Sequence, residues 1–515
     1  MRLPHRLPHR LTTSIALLAV PALLLGGTTS GAVASAEREP GPEPGSAAYV
    51  QRDTENVAAA YGRIHGEGGQ LRNPAYLPAL VAQSSTLSVA QLLAQAAEPT
   101  RPALTAGNLV PGWDVGNPLR ASWSGTRGRS QRVAFTNRYG ALLRGTVWAP
   151  AERARDPYSG RRLRGPFPGV VITPGSVQGS EGMYEWLAQD LAERGYVVLT
   201  YDVQGQGGSE TFPHPDGSAF PFCDPTMQPP PAEVSDETTG CPGVPFQQQA
   251  NFEVGTRDAL SFLLATPARP WANPGSTGAT VDAANPFHRL LDRRRERHPV
   301  TPGRRHRIAV IGHSLGAAAV SQVQAVDKRV ATVVALDKLG TPTTGDVDLR
   351  PVVPALGVQS EYGFAVTPWL LSGGSSIQPQ PSPDGPDPRR ERASGWDAWD
   401  AAGVDSMMLV PRASTHLEYT DIPLVLPASR WGQALTSVTV QRWLDRYLKH
   451  RGGPRALLRQ RIDYLEPTGG GAWSPVRLRR DEHLSFYYCS AYRLDAAGST
   501  QRRILRDGDV TDVGC

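Results

Sequence analysis

From about residue 129 the chain alternates short, wholly apolar runs with helical stretches, and this pattern constrains the fold most. "GVVITPG", "YVVLTYD", "HRIAVIG" and "VATVVALD" have strand length, and none alternates apolar with polar residues. A strand can be apolar at every position only if both faces are covered. The intervening "EWLAQDLAERG", "ANFEVGTRDALSFLLA" and "SVTVQRWLDRYLKH" read as helices. Together they predict a mostly parallel sheet packed between two helical layers. "RSQRVAFTN" and "ALLRGTVWAP", joined through "RYG", read as a leading β-hairpin. Hydrophobic residues make up 40% of 515, enough for a large core.

The first residues bear on compartment. A basic "MRLPHRLPHR", an apolar "LTTSIALLAVPALLL" and a small-residue "AVASA" read as a secretory signal peptide over residues 1–36. The apolar run is short for a full membrane span, and no later run suffices. Loss of Arg2, Arg6 and Arg10 with the leader takes the formal charge from +5 towards neutrality. That argues against nucleic acid as a partner, and the arginine clusters of residues 293–307 read as solvated surface. Cys223, Cys241, Cys489 and Cys515 lack metal-site spacing. In an exported chain they are expected to be oxidised, and proximity favours Cys223–Cys241 and Cys489–Cys515.

Residues 37–48 read as a flexible linker, and 49–128 as a helical N-terminal extension. A catalytic domain is expected over 129–450 and a small β-rich appendage over 451–515. Two long loops stand out. One, 205–249, is an insertion or lid closed by the first disulfide; the other is 372–390.

Within this frame lies "IGHSLGAAAV". A bare Gly-x-Ser-x-Gly is a weak signal. Here it follows the apolar run Ile308–Ile311 and opens an Ala-rich helix, the strand–turn–helix setting of a nucleophile elbow. Gly312 and Gly316 are then needed because strand and helix pass too close for Cβ atoms. A serine also needs a base, for which imidazole is best suited. Downstream of Ser314 stand His416, His450 and His483. His450 ends a helix and His483 falls in the C-terminal appendage. His416, in "VPRASTHLEYTD", follows the last predicted strand on a polar turn.

With these residues, residues 130–450 resemble the α/β-hydrolase superfamily. They resemble most its secreted bacterial serine esterases, of the dienelactone-hydrolase-like and polyester-hydrolase-like kind. "VVITPGSVQGS" is similar to the family's oxyanion strand and loop, and "GYVVLTYDVQGQGGS" to its next strand and turn. The resemblance implies a Ser314–His416–acid triad with the acid between the two in sequence. Glu361 in "GVQSEYG" and Asp337 in "VVALDKLG" both sit at strand ends there. The family's usual location favours Glu361, with Asp337 as the alternative. The resemblance also implies an oxyanion hole from the N–H groups of Leu315 and Ser176, with Val177 as fallback. Asp202 is expected to organise the turn after its strand.

The expected activity is hydrolysis of carboxylic esters through an acyl-enzyme, without metal or organic cofactor. Small-molecule, lipid or polyester esters are the expected partners, and the expected state is a monomer. Amide or peptide hydrolysis and acyl transfer to a cell-envelope acceptor use the same residues. A non-catalytic binding protein on a hydrolase fold is the alternative from another class. Trp186, Trp369, Phe220 and Phe222 are candidates either for a substrate pocket or for packing.

Overall fold

A computed structural model describes residues 41–97, 114–176, 179–210, 249–276, 280–298, 303–340, 350–369, 385–422, 424, 427–496 and 503–509. Two long helices lead, α1 (Ala47–Ala59) and α2 (Tyr76–Ala97), with a single helical turn, Gly62–His65, between them. The hairpin follows as β1 (Gly128–Thr136) and β2 (Leu142–Pro150). Then come β3 (Gly169–Thr173), α3 (Glu185–Glu193), β4 (Val197–Tyr201) and α4 (Gln249–Leu264). β5 (Ile308–His313) runs into α5 (Leu315–Val326), and β6 (Val330–Leu336) lies beyond. β7 (Ala355–Val358), β8 (Ser406–Leu409) and α6 (Gly432–Lys449) complete the expected alternation. A separate hairpin, β9 (Arg461–Gly469) and β10 (Ala472–Arg479), precedes β11 (Ala491–Ala496) and β12 (Arg503–Asp509).

Ten strands form one sheet in the order β1-β2-β4-β3-β5-β6-β7-β8-β11-β12. The pairs from β4 through β8 are parallel, and the hairpin strands join antiparallel. This is the α/β-hydrolase fold expected from the sequence.

The pleat explains the wholly apolar strands. Ile308 and Val310 of β5 point to the layer holding Phe252, Leu260 and Leu263 of α4 and Val320 and Val323 of α5. Ala309 and Ile311 point to the opposite layer, with Leu187 and Leu191 of α3 and Leu435, Trp443 and Leu444 of α6. All six residues of β5 are buried. Among the described residues, no helix is long and apolar enough to cross a membrane.

The C-terminal region is β-rich but is not wholly an appendage. β11 pairs antiparallel with β8 and so continues the central sheet. The short β8 would otherwise present unpaired backbone groups at an edge. The N-terminal region is likewise tied into the core through polar side chains. Asp53 of α1 accepts from the Trp369 backbone N–H at 2.7 Å and from the Tyr487 hydroxyl at 2.7 Å. The amide of Asn56, fully buried, donates to Glu361 and to the Tyr362 hydroxyl. Trp186 and Trp369 are core residues, buried beside α6 and beside Tyr362 and Tyr487 respectively. Phe220, Phe222, Cys223, Cys241, Cys515 and the leader lie outside the described residues, so neither expected cysteine pairing is placed. Cys489 is buried.

Removing the Asn56 amide leaves a buried carboxylate short of a donor, at a cost of about 1–3 kcal/mol. Asn56→Ala is therefore expected to lose that much unfolding free energy in urea titration, although α1 contributes no strand to the sheet.

Candidate active site

Ser314 sits between β5 and α5 with φ 54° and ψ −121°, a backbone that L-residues rarely adopt. The turn is held by the Ser314 N–H on the Leu336 carbonyl at 3.0 Å and by the Ala318 N–H on the Ser314 carbonyl at 3.1 Å. The glycines behave as the steric argument requires. A Cβ on Gly312 would lie 2.0 Å from the Gly316 carbonyl oxygen. One on Gly316 would lie 2.4 Å from the Pro174 oxygen and 2.5 Å from the Thr173 oxygen.

His416 opens a short helical turn after β8, where the Thr415 side chain caps it by accepting from the Leu417 N–H. Its Nε2 is 3.0 Å from Ser314 Oγ, and its Nδ1 is 2.5 Å from Asp337 Oδ2. A carboxylate only accepts, so Nδ1 carries the imidazole proton. Nε2 then accepts from the serine hydroxyl. Asp337 follows β6 directly and is oriented by the Ser360 N–H, which donates to Oδ1 at 3.0 Å. Burial works to raise its carboxyl, but the hydrogen bond and charge of His416, with Lys338, hold it well below the usual carboxylate range.

The expected place of Glu361 on the imidazole is corrected by this geometry. Asp337 occupies Nδ1, while Glu361 turns the other way. Glu361 Oε2 accepts from the Ala413 N–H at 2.6 Å and from Asn56. Its Oε1 accepts from the Ser485 hydroxyl at 2.6 Å and the Phe486 N–H at 3.2 Å. Burial pushes its carboxyl up, against these four donors. The physical reason lies in the sheet. β6 is the immediate neighbour of β5, with Leu336 opposite His313, so a short aspartate one residue on reaches the site. β7 is a strand further away, and Glu361 lies beyond its end. Glu361 instead braces the His416 loop from behind, since its own N–H also donates to Ser414 Oγ at 3.0 Å.

The other two candidate histidines go elsewhere. His450 caps α6 in a left-handed conformation, 2.5 Å from Glu296, and His483 lines a separate cavity beside Arg412. Asp202 organises its turn by accepting from the Glu181 and Gly208 N–H groups, each at 2.7 Å.

A cavity of about 170 Å³ opens over Ser314 and His416. Gly175 and Ser176 form one wall, and Met183, Phe364, Leu417 and Ile422 are apolar lining. Phe364 is 50% exposed, with its ring centroid 4.4 Å from that of His416. Leu315 is the first residue of α5, so its N–H belongs to the unpaired, positive end of a helix facing the serine. Val177 lies outside the described residues. Among the described residues no cluster of His, Cys, Asp or Glu is arranged to hold a metal ion.

Sequence reasoning missed Phe364, His313 and Tyr184. His313 stands inside the Gly-His-Ser-Leu-Gly motif, but its partner Tyr184 is 129 residues away in sequence, so no local spacing signals its place in the site.

No family model matches the chain. An uncharacterized protein of Pseudomonas aeruginosa is 31% identical over 115 residues, which is 21% of this chain and 29% of that protein. The chain thus spans under a third of the relative's length. Among solved structures, a ferulic acid esterase from Streptomyces cinnamoneus aligns with TM-score 0.35 and 19% identity, over 64% of this chain and 91% of that one.

Gly316→Ala sets a Cβ against two backbone oxygens of the β3 end. It is expected to cost about 1–3 kcal/mol in denaturant unfolding, the scale of overpacking a tight contact.

Proposed function

We propose that the protein is a serine hydrolase that cleaves carboxylic esters. The observation that carries this reading is the unbroken line from Ser314 Oγ to His416 Nε2 at 3.0 Å and from Nδ1 to Asp337 at 2.5 Å. His416 takes the hydroxyl proton as Oγ attacks the ester carbonyl, and Asp337 stabilises the imidazolium that forms. The N–H groups of Leu315 and Ser176 receive the oxyanion, aided by the positive end of α5. His416 then gives its proton to the leaving alcohol. Water, deprotonated by the same imidazole, attacks the acyl-enzyme and frees the acid and Ser314. Nothing in this sequence needs a metal or an organic cofactor.

The apolar lining from Met183, Phe364, Leu417 and Ile422 favours esters with an apolar group next to the carbonyl. The leader-like first residues support action outside the cell.

A fluorophosphonate probe is expected to label the wild type at Ser314 and not Ser314→Ala. Absence of wild-type labelling would mean a binding protein on this scaffold. Asp337→Asn is expected to lower kcat by a factor on the order of 10⁴ by unsettling the imidazole tautomer. Glu361→Gln, where folded, is expected to keep kcat within about tenfold, since its effect reaches His416 only through the loop. The reverse ranking would return the triad acid to Glu361. A panel of esters of increasing chain length, with an amide control, sets the acyl preference and separates esterase from amidase.

A further inference from the structure

His313, inside the Gly-His-Ser-Leu-Gly turn, is buried, and so is Tyr184. Neither has a part in the proton transfers above, yet their polar atoms are joined in one line. The Gly175 N–H donates to Tyr184 Oη at 3.0 Å. Tyr184 Oη lies 2.7 Å from His313 Nδ1, and His313 Nε2 lies 2.8 Å from the His416 carbonyl oxygen.

Both ends of this line have fixed roles. A peptide N–H can only donate and a carbonyl can only accept. His313 Nε2 must therefore carry the proton, and its Nδ1 accepts. The Tyr184 hydroxyl then donates to Nδ1 and accepts from Gly175. One arrangement of hydrogens satisfies every atom, and a chain polarised in one direction strengthens each link.

We propose that Tyr184 and His313 are positioning residues that hold the oxyanion loop at Gly175 and the backbone of His416 in register across Ser314. The proposal rests on the acyl-transfer reading. Three parts of the site come from distant stretches of chain. The loop follows β3, the nucleophile follows β5, and the base follows β8. His313 is covalently next to Ser314 and hydrogen-bonded towards both of the others. Gly175 is packed against it, since a Cβ there would lie 3.0 Å from His313 Nδ1 and 3.0 Å from Ser314 Cβ. The far side of the loop is held by Gln206, whose amide donates to the Gly175 oxygen at 2.9 Å and the Gly179 oxygen at 3.3 Å.

The line must also survive the reaction, during which His416 becomes cationic. Burial first, and the neighbouring His416 second, hold the His313 imidazole down to about 3. His313 thus stays neutral and keeps its Nδ1 acceptor while the base beside it is charged. Tyr184 is pushed up by burial and keeps its proton as well.

Tyr184→Phe keeps the ring and removes Oη, so Gly175 loses its acceptor and His313 Nδ1 its donor. Misplacement of an oxyanion donor by a fraction of an ångström costs on the order of 10- to 100-fold in rate. The expected result in the full-length protein is a kcat lower by roughly that factor, with KM within about threefold of wild type. The rate of Ser314 labelling by a fluorophosphonate should fall in parallel. A purely structural tyrosine would lower thermal stability and leave the kcat of the folded enzyme unchanged, and that result would overturn the proposal. The second measurement is the ¹⁵N spectrum of histidine-labelled wild type. His313 is expected as the neutral Nε2–H tautomer at neutral pH, and an Nδ1–H or doubly protonated ring would overturn the proposed order. This readout is independent of turnover. A wild type that neither labels nor hydrolyses esters, yet shows the Nε2–H tautomer, overturns the acyl-transfer reading and the positioning role with it, leaving the hydrogen-bond order intact.

Discussion

The approach of Gly316 to the backbone oxygens of Thr173 and Pro174 is the contact on which the site depends. It lets α5 start where β5 ends, directly beside the end of β3. The serine between them is held at positive φ, with its hydroxyl facing outward to the imidazole. The same closeness puts the loop after β3 within reach of whatever Ser314 binds. The serine turn, the helix terminus and the position of the loop after β3 are thus consequences of one missing Cβ, supported by a second at Gly312. A side chain at either glycine would separate strand from helix and loop from serine together.

Around that contact the site is assembled from strand ends. In a parallel sheet the carboxyl ends of the strands converge on one rim, and the side chains just beyond them can meet whatever their distance in sequence. Ser314 lies beyond β5, Asp337 beyond β6 and His416 on the turn after β8. Asp337 is buried yet ionised because it is fully engaged, with one oxygen on the Ser360 N–H and the other on the imidazole. Glu361 is buried with four donors of its own, but they come from α1, the His416 loop and the segment before β11. Two carboxylates of similar burial therefore do different work, one on the His416 imidazole and the other bracing the loop that carries it.

How much of this was legible follows from how local each signal is. The strands of the parallel core could be read because burial on both faces leaves an unbroken apolar run. Ser314 and its glycines could be read because the steric demand of the turn is met within five residues. His416 could be placed because it follows the last predicted strand on a polar turn, where the family resemblance puts the base, while His450 ends a helix and His483 falls in the C-terminal region. The choice between Asp337 and Glu361 could not, because it depends on strand adjacency and on partners far away: Asn56 is 305 residues from Glu361 and Ser485 is 124. The same holds for the edge at β8, which is closed by residues 491–496 that read as a separate unit. The line through Tyr184 and His313 links three loops, and no spacing in the sequence announces it.

The bracing by Glu361 ties the His416 loop to both terminal regions of the described chain. Asn56 comes from the first helix and Ser485 from the segment before the last two strands, and both meet one carboxylate behind Ala413. A buried charge tolerates partial engagement poorly, because each donor lost leaves a carboxylate oxygen with one partner where it had two. Fraying of either region is therefore not a local event. It is transmitted to the loop three residues before His416, so the imidazole acts as a gauge of whether the two ends of the fold are both in place.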